Sequence, residues 1–154
     1  MPASSFSDLN PGVELRLGDQ LVRYDRQATQ RAYANITEGS ADRCGCSECR
    51  NFIALRASVY PTTFLALLDL LGIDPVKEGH LYAYGPPSNG SIHYGGWLFF
   101  CGVIIQIGER LVADSGIQYF VNHRHKAPAS GIFGTDALAL EFDTKAPWVL
   151  DENP

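Results

Sequence analysis

Residues Trp97 to Ile107 read WLFFCGVIIQI, an almost wholly apolar run of aromatic and β-branched side chains. Such side chains favour a pleated, extended backbone. A strand that is apolar at successive positions has no face it can leave to water, so it must lie inside a sheet with other layers on both sides. A membrane-spanning helix needs roughly 20 apolar residues. This run is much shorter, and Gly102 and Gln106 interrupt it. The chain is therefore built around a central buried strand.

The flanking patterns supply what packs on that strand. Val13, Leu15 and Leu17 alternate with Glu14 and Arg16, the period of a half-buried strand. Gly18-Asp19 is a turn signal, and Leu21 to Tyr24 continues, so Val13 to Asp25 reads as a hairpin. Arg26 to Ile36 fits either element. Thr37 to Glu48 reads as a polar loop. From Cys49 to Val59, Phe52, Leu55 and Val59 fall near one helical face. A second helix starts at Pro61, whose fixed φ suits a first helical position. Phe64, Leu67, Leu68 and Leu71 follow at helical spacing, and Gly72 is placed to end it. His80 to Tyr84 is a short strand. Leu111 to Ala113, Ile117 to Val121 and Ala137 to Phe142 read as further strands, the last with Leu138, Leu140 and Phe142 on one face. Short connections imply antiparallel neighbours. The expected fold is α+β: a mainly antiparallel sheet, flat or strongly curved, with a helix pair packed on one side. Met1 to Gly12 reads as a loose leader, and residues 13–150 as a single globular domain, which suits a chain of 154 residues.

Chemistry concentrates in Cys44-Gly45-Cys46-Ser47-Glu48-Cys49. Three of the four cysteines fall within six residues. The spacing of Cys46 and Cys49 lets a turn present two sulfurs to one tetrahedral metal ion. Gly45 permits an unusual φ between Cys44 and Cys46. If Cys49 opens the helix, the helix N-terminus favours its thiolate. A structural zinc site takes four thiolate or imidazole ligands. The run supplies three, and Cys101, His93 and His123 are the candidates for the fourth, with His80 and His125 beside them. Three ligands alone would leave a coordination position for water, as in catalytic zinc. Two other readings stay open: buried free thiols that pack as small hydrophobes, and a redox pair of Cys46 and Cys49, for which the usual βαβ setting is missing. Cys101, set among Phe99, Phe100, Val103 and Ile104, reads first as a core residue.

The run Cys44-x-Cys46-x₂-Cys49-Arg50-Asn51-Phe52, followed by Tyr60-Pro61, Leu71-Gly72-Ile73-Asp74, Lys77-Glu78 and Gly96-Trp97-Leu98-Phe99, resembles a family of uncharacterised bacterial proteins. The resemblance covers about Arg43 to Gly102. It implies that the cysteine run is a shared feature, and it supplies no activity.

Other chemistry is sparse. The phosphate-binding, dinucleotide-binding, serine-hydrolase and zinc-protease motifs are absent from the sequence. Tyr82, Tyr84, His93, Tyr94 and Trp97 surround the Gly85 to Ser91 loop, either lining a pocket or packing strand ends around it. Gly95-Gly96 reads as a bend entering the long strand. His123 and His125, two apart, would share a strand face. With 12 Lys and Arg against 17 Asp and Glu, the net charge of −5 argues against duplex nucleic acid. The short basic run His123-Arg124-His125-Lys126 reads as a solvated segment. No secretory or membrane-spanning pattern is visible, which points to the cytoplasm, where thiols stay reduced or bind metal. The expected function is a small cytoplasmic binding protein with a structural zinc cluster, its partner a protein or small molecule. The alternative is an enzyme using a metal-bound water, or a reactive Cys49, beside His93 or His123.

Overall fold

The computed structural model describes residues 12–123, 132–134 and 137–152. The expected leader, apart from Gly12, lies outside the described residues, as do Arg124, His125 and Lys126.

The strands are β1 (Val13–Leu17), β2 (Gln20–Tyr24), β3 (His80–Ala83), β4 (Ser91–Gln106), β5 (Val112–Asp114), β6 (Ile117–Asn122) and β7 (Ala137–Pro147). They form one seven-stranded sheet in the order β1-β2-β4-β7-β6-β5, with β3 also on β4. Every pairing is antiparallel. The apolar run is the middle of the sheet, as its composition requires, but β4 begins six residues earlier, at Ser91. One edge of β4 is shared end to end. Residues 94–97 pair with β3 and residues 102–106 with β2, while β7 holds the opposite edge.

The sheet is strongly curved. Gln20 on β2 exchanges two hydrogen bonds with the backbone of Val121 on β6, its Nε2 donating at 2.8 Å and its Oε1 accepting at 3.0 Å. These strands are three steps apart in the sheet, about 14 Å if it were flat. Only a curled sheet brings them within reach of one side chain. At the same end the Asp19 carboxylate accepts from the amides of Glu109 and Arg110, at 3.0 and 3.2 Å.

Among the described residues, four helices accompany the sheet: α1 (Arg26–Ala34), α2 (Ser40–Cys44), α3 (Ser47–Leu55) and α4 (Thr62–Leu71). The expected pair is α3 and α4, which cover the face carrying Tyr94, Leu98, Phe100 and Phe142. Ring contacts stitch them to it: Phe52 to Tyr94 at 5.1 Å, Tyr60 to Phe142 at 5.3 Å, and Phe64 to Phe142 at 6.2 Å. The ambiguous segment after the first hairpin is helical because Asp25 caps it, accepting from the Ala28 amide. Its Tyr33 donates to the Phe99 carbonyl at 2.6 Å and packs on Phe133 at 5.2 Å, which covers the other face of β4. The loop expected over Thr37 to Glu48 contains α2. Pro61 sits one place outside α4, as its N-cap.

Candidate metal centre

The cysteine run occupies the junction between α2 and α3. Cys44 is the last residue of α2. Gly45 then adopts φ +76°, a left-handed conformation that glycine takes without steric cost. This single residue reverses the chain and makes Cys46 the N-cap of α3. The sequence expectation that Cys49 opens the helix is corrected here: the helix begins at Ser47, and Cys49 is its third residue. The displacement matters chemically, because Cys46 Sγ accepts the Cys49 amide at 3.5 Å, the capping role usually held by a serine or aspartate oxygen.

The three sulfurs converge. They lie within 4.8 Å of one another, and Cys44 Sγ and Cys46 Sγ are 3.2 Å apart. Cys44 and Cys46 are exposed, and Cys49 is buried. Their acidities diverge accordingly. Hydrogen bonding from the Cys46 backbone, and then from the neighbouring thiols, holds the Cys44 thiol below its ordinary value. Burial, and then the adjacent thiols, push the Cys49 thiol up. Hydrogen bonding from its own amide holds the Glu48 carboxyl down. Such a group offers one readily ionised sulfur at the surface and one seated in the core, and it could hold a metal ion.

Two polar networks fix this junction. In the first, Asn51, fully buried on α3, donates to Tyr94 Oη and to the Pro147 carbonyl, each at 3.1 Å, and accepts from the Val149 amide at 2.8 Å. Tyr94 in turn donates to the Glu48 carbonyl at 2.6 Å. Burial raises the Tyr94 phenol to about 12. In the second, Glu78 is buried and receives Arg56 Nη2 on both carboxylate oxygens, at 2.9 and 3.2 Å. The Ala41 amide donates to the same carboxylate at 2.9 Å, and Arg56 Nη1 reaches Asp42 at 2.8 Å. Arg56 follows α3 while Ala41 and Asp42 lie on α2, so this network clamps the two helices together. A sequence signal existed only for the first: a buried amide in an otherwise apolar helix face demands partners.

The candidates for a fourth ligand lie elsewhere. Cys101 is buried, as its core reading expected, with its sulfur at 3.5 Å from the Phe133 carbonyl. It stands about 23 Å along β4 from Tyr94, the residue that touches the cysteine loop. His93 neighbours Tyr94 but faces the opposite side of the sheet, where its Nε2 lies 3.0 Å from Asp143 Oδ1. His80 stacks on Trp97 at 4.6 Å. His123 is exposed just beyond β6, and His125 lies outside the described residues. Among the described residues, the cluster consists of the three thiols.

The aromatic group around the Gly85 to Ser91 loop divides. Tyr94 points into the core, while Tyr82, Tyr84, His93 and Trp97 share the outer sheet face. A separate cleft of about 510 Å³ is lined by Tyr33, Arg43, Lys77, Trp97 and Phe99, among others. No helix is long and apolar enough to cross a membrane among the described residues. No protein-family model, curated protein or solved structure matches the chain.

Proposed function

We propose that Cys44, Cys46 and Cys49 hold a zinc ion that clasps α2 to α3, in a small cytoplasmic protein that works by binding a protein or small-molecule partner. The observation that carries this reading is the convergence of three sulfurs within 4.8 Å on a rigid helix junction. Tetrahedral zinc with Zn–S bonds of about 2.3 Å needs sulfurs about 3.8 Å apart, inside the range that small side-chain rotations reach here. Asn51 and Phe52 are the residues that seat the loop on the sheet. A reducing compartment keeps such thiols available for metal. The exposure of Cys44 and Cys46 puts the fourth coordination position at the surface, where water or an outside donor completes it. That same openness is what favours the second reading, an enzyme using a metal-bound water.

Cobalt(II) substitution tests the site. The wild type and a Cys101→Ser variant are expected to give intense sulfur-to-cobalt charge-transfer bands of a tetrahedral thiolate centre, and Cys44→Ser, Cys46→Ser and Cys49→Ser to lose them. Weak bands in the wild type, or bands that survive loss of Cys46, would contradict the assignment. Chelation that lowers the melting temperature supports a structural clasp; unchanged stability supports the enzyme reading.

A further inference from the structure

We propose that the cleft at the loop joining β3 to β4 binds a neutral oligosaccharide, with the stacked rings of Tyr84 and His93 as its platform. The cleft measures about 320 Å³ and is lined by Tyr84, Ser88, Asn89, Ser91, His93 and Lys145. That volume falls at the lower end of small-molecule sites.

The platform is exposed yet rigid. The Tyr84 and His93 rings stack with centroids 4.2 Å apart and planes 28° from parallel. Tyr84 nonetheless keeps 57% of its surface in solvent. Three contacts hold the pair in place: Asp143 on the His93 ring at 3.0 Å, the Tyr82 hydroxyl on the Tyr84 hydroxyl at 3.2 Å, and the Tyr84 amide on the His93 carbonyl at 2.9 Å. A large aromatic ring in water with its orientation already fixed loses little freedom when something stacks on it.

The surroundings select the ligand class. Serine hydroxyls, an asparagine amide and the Lys145 ammonium line the cleft, and the Asp143 carboxylate on the His93 ring offsets the charge of Lys145. An anionic ligand would want an excess of cations, and a cationic one an excess of carboxylates. A sugar ring needs neither. It presents a C–H face, weakly positive at its edge, to the negative face of an aromatic ring, and a rim of hydroxyls to mixed hydrogen-bonding groups.

The platform is also long enough for several units. Tyr82 lies 5.3 Å from Tyr84, and the His80–Trp97 stack continues the row, 6.3 Å from Tyr82 to Trp97. Tyr82 stands nearly edge-on to Tyr84, with planes 70° apart, and lies over Gly95, where an added Cβ would come within 2.6 Å of the ring.

The test is titration of the isotope-labelled full chain with chitotriose, cellotriose, maltotriose and mannotriose, read from backbone amide resonances. At least one trisaccharide is expected to shift Tyr84, Ser91, His93 and Lys145 saturably. Tyr84→Ala is expected to weaken that binding about tenfold or more, and Tyr84→Leu, which keeps the bulk without the ring, to weaken it similarly, both with unchanged circular dichroism. Tyr82→Ala should weaken the trisaccharide more than its monosaccharide. The proposal is overturned if no sugar of the set shifts these amides, if Tyr84→Leu binds as well as wild type, or if inorganic phosphate or arginine amide saturates the same resonances while the sugars do not.

Discussion

The Asn51 carboxamide stands 3.1 Å from the Tyr94 hydroxyl in the buried core, and its contacts link α3 to β4 and to the end of β7. Asn51 accepts with its carbonyl and donates twice with its amide, and the Tyr94 hydroxyl donates to the Glu48 carbonyl. Tyr94→Phe removes one donor and strands two partners, and is expected to cost about 1–3 kcal/mol. Asn51→Ala strands three partners in the core and should cost more than Tyr94→Phe. Chemical denaturation of the two variants and of the double variant measures both costs. Because the residues share a network, the double variant is expected to be less destabilised than the sum of the singles.

The Arg56–Glu78 pair makes a different prediction. The Glu78 side chain is fully buried, and that of Arg56 is only 13% exposed. Removing the guanidinium leaves a carboxylate in the core without its cation, so Arg56→Ala is expected to cost about 3–5 kcal/mol. Pairing Arg56→Leu with Glu78→Leu removes both charges and should recover part of that loss. Melting curves of the three variants decide it: a double variant no better than Arg56→Ala alone would mean that the amides of α2 depend on the carboxylate more than on the ion pair.

Stability should fall on the alkaline side in a defined window. Burial raises Tyr33 and Tyr60 well above the ordinary phenol value of 10.0, and raises Tyr94 to about 12. A group whose folded pKa exceeds its unfolded one contributes stability that is fully present below the unfolded value and is lost as pH rises through the folded one. For Tyr94 that window runs from about pH 10 to about pH 12. Ultraviolet titration of phenolate is expected to show a late fraction that appears together with loss of ellipticity. Simple titration of every tyrosine near 10 would contradict the buried placement.

Gly45 gives a prediction about the turn itself. It has φ +76° and open space where a Cβ would go, so the only cost of a side chain is backbone strain. Gly45→Ala is expected to lower stability by about 1 kcal/mol and to weaken metal binding further, since relief of the strain moves Cys44 away from Cys46. Gly45→Asn, which tolerates the left-handed region better, should lie between alanine and wild type in both measurements.

Much of the scaffold was legible because it rests on local periodicity. The first hairpin, α4 with its closing Gly72, and the alternation of Leu138, Leu140 and Phe142 all carry repeats of two or of three to four residues. The helix α1 escaped because Arg26 to Ile36 has a weak apolar stripe, and the Asp25 cap that starts it was read as the end of the hairpin. The helix α2 escaped because it spans only five residues, and it is held by distant Glu78 rather than by its own pattern. Spacing allowed Cys46 and Cys49 to share one ion, and the turn at Gly45 is what brings all three sulfurs together. Which cysteine caps α3 did not follow from spacing, because a thiol in the N-cap position carries no strong preference. The distant candidates were beyond reach of spacing altogether. Tyr94 and His93 are adjacent in the chain and lie on opposite sides of the sheet, and only the register of β4 decides which one meets the cysteine loop.

Elemental analysis, on protein purified without added metal and paired with thiol titration before and after chelation, addresses the central claim most directly. The account predicts stoichiometric zinc in the wild type and in Cys101→Ser, loss of zinc in Cys46→Ser, and thiols at Cys44 and Cys46 that react only once the metal is removed. Metal-free wild-type protein, that binds no added zinc and whose exposed Cys44 and Cys46 titrate freely from the start, would contradict it.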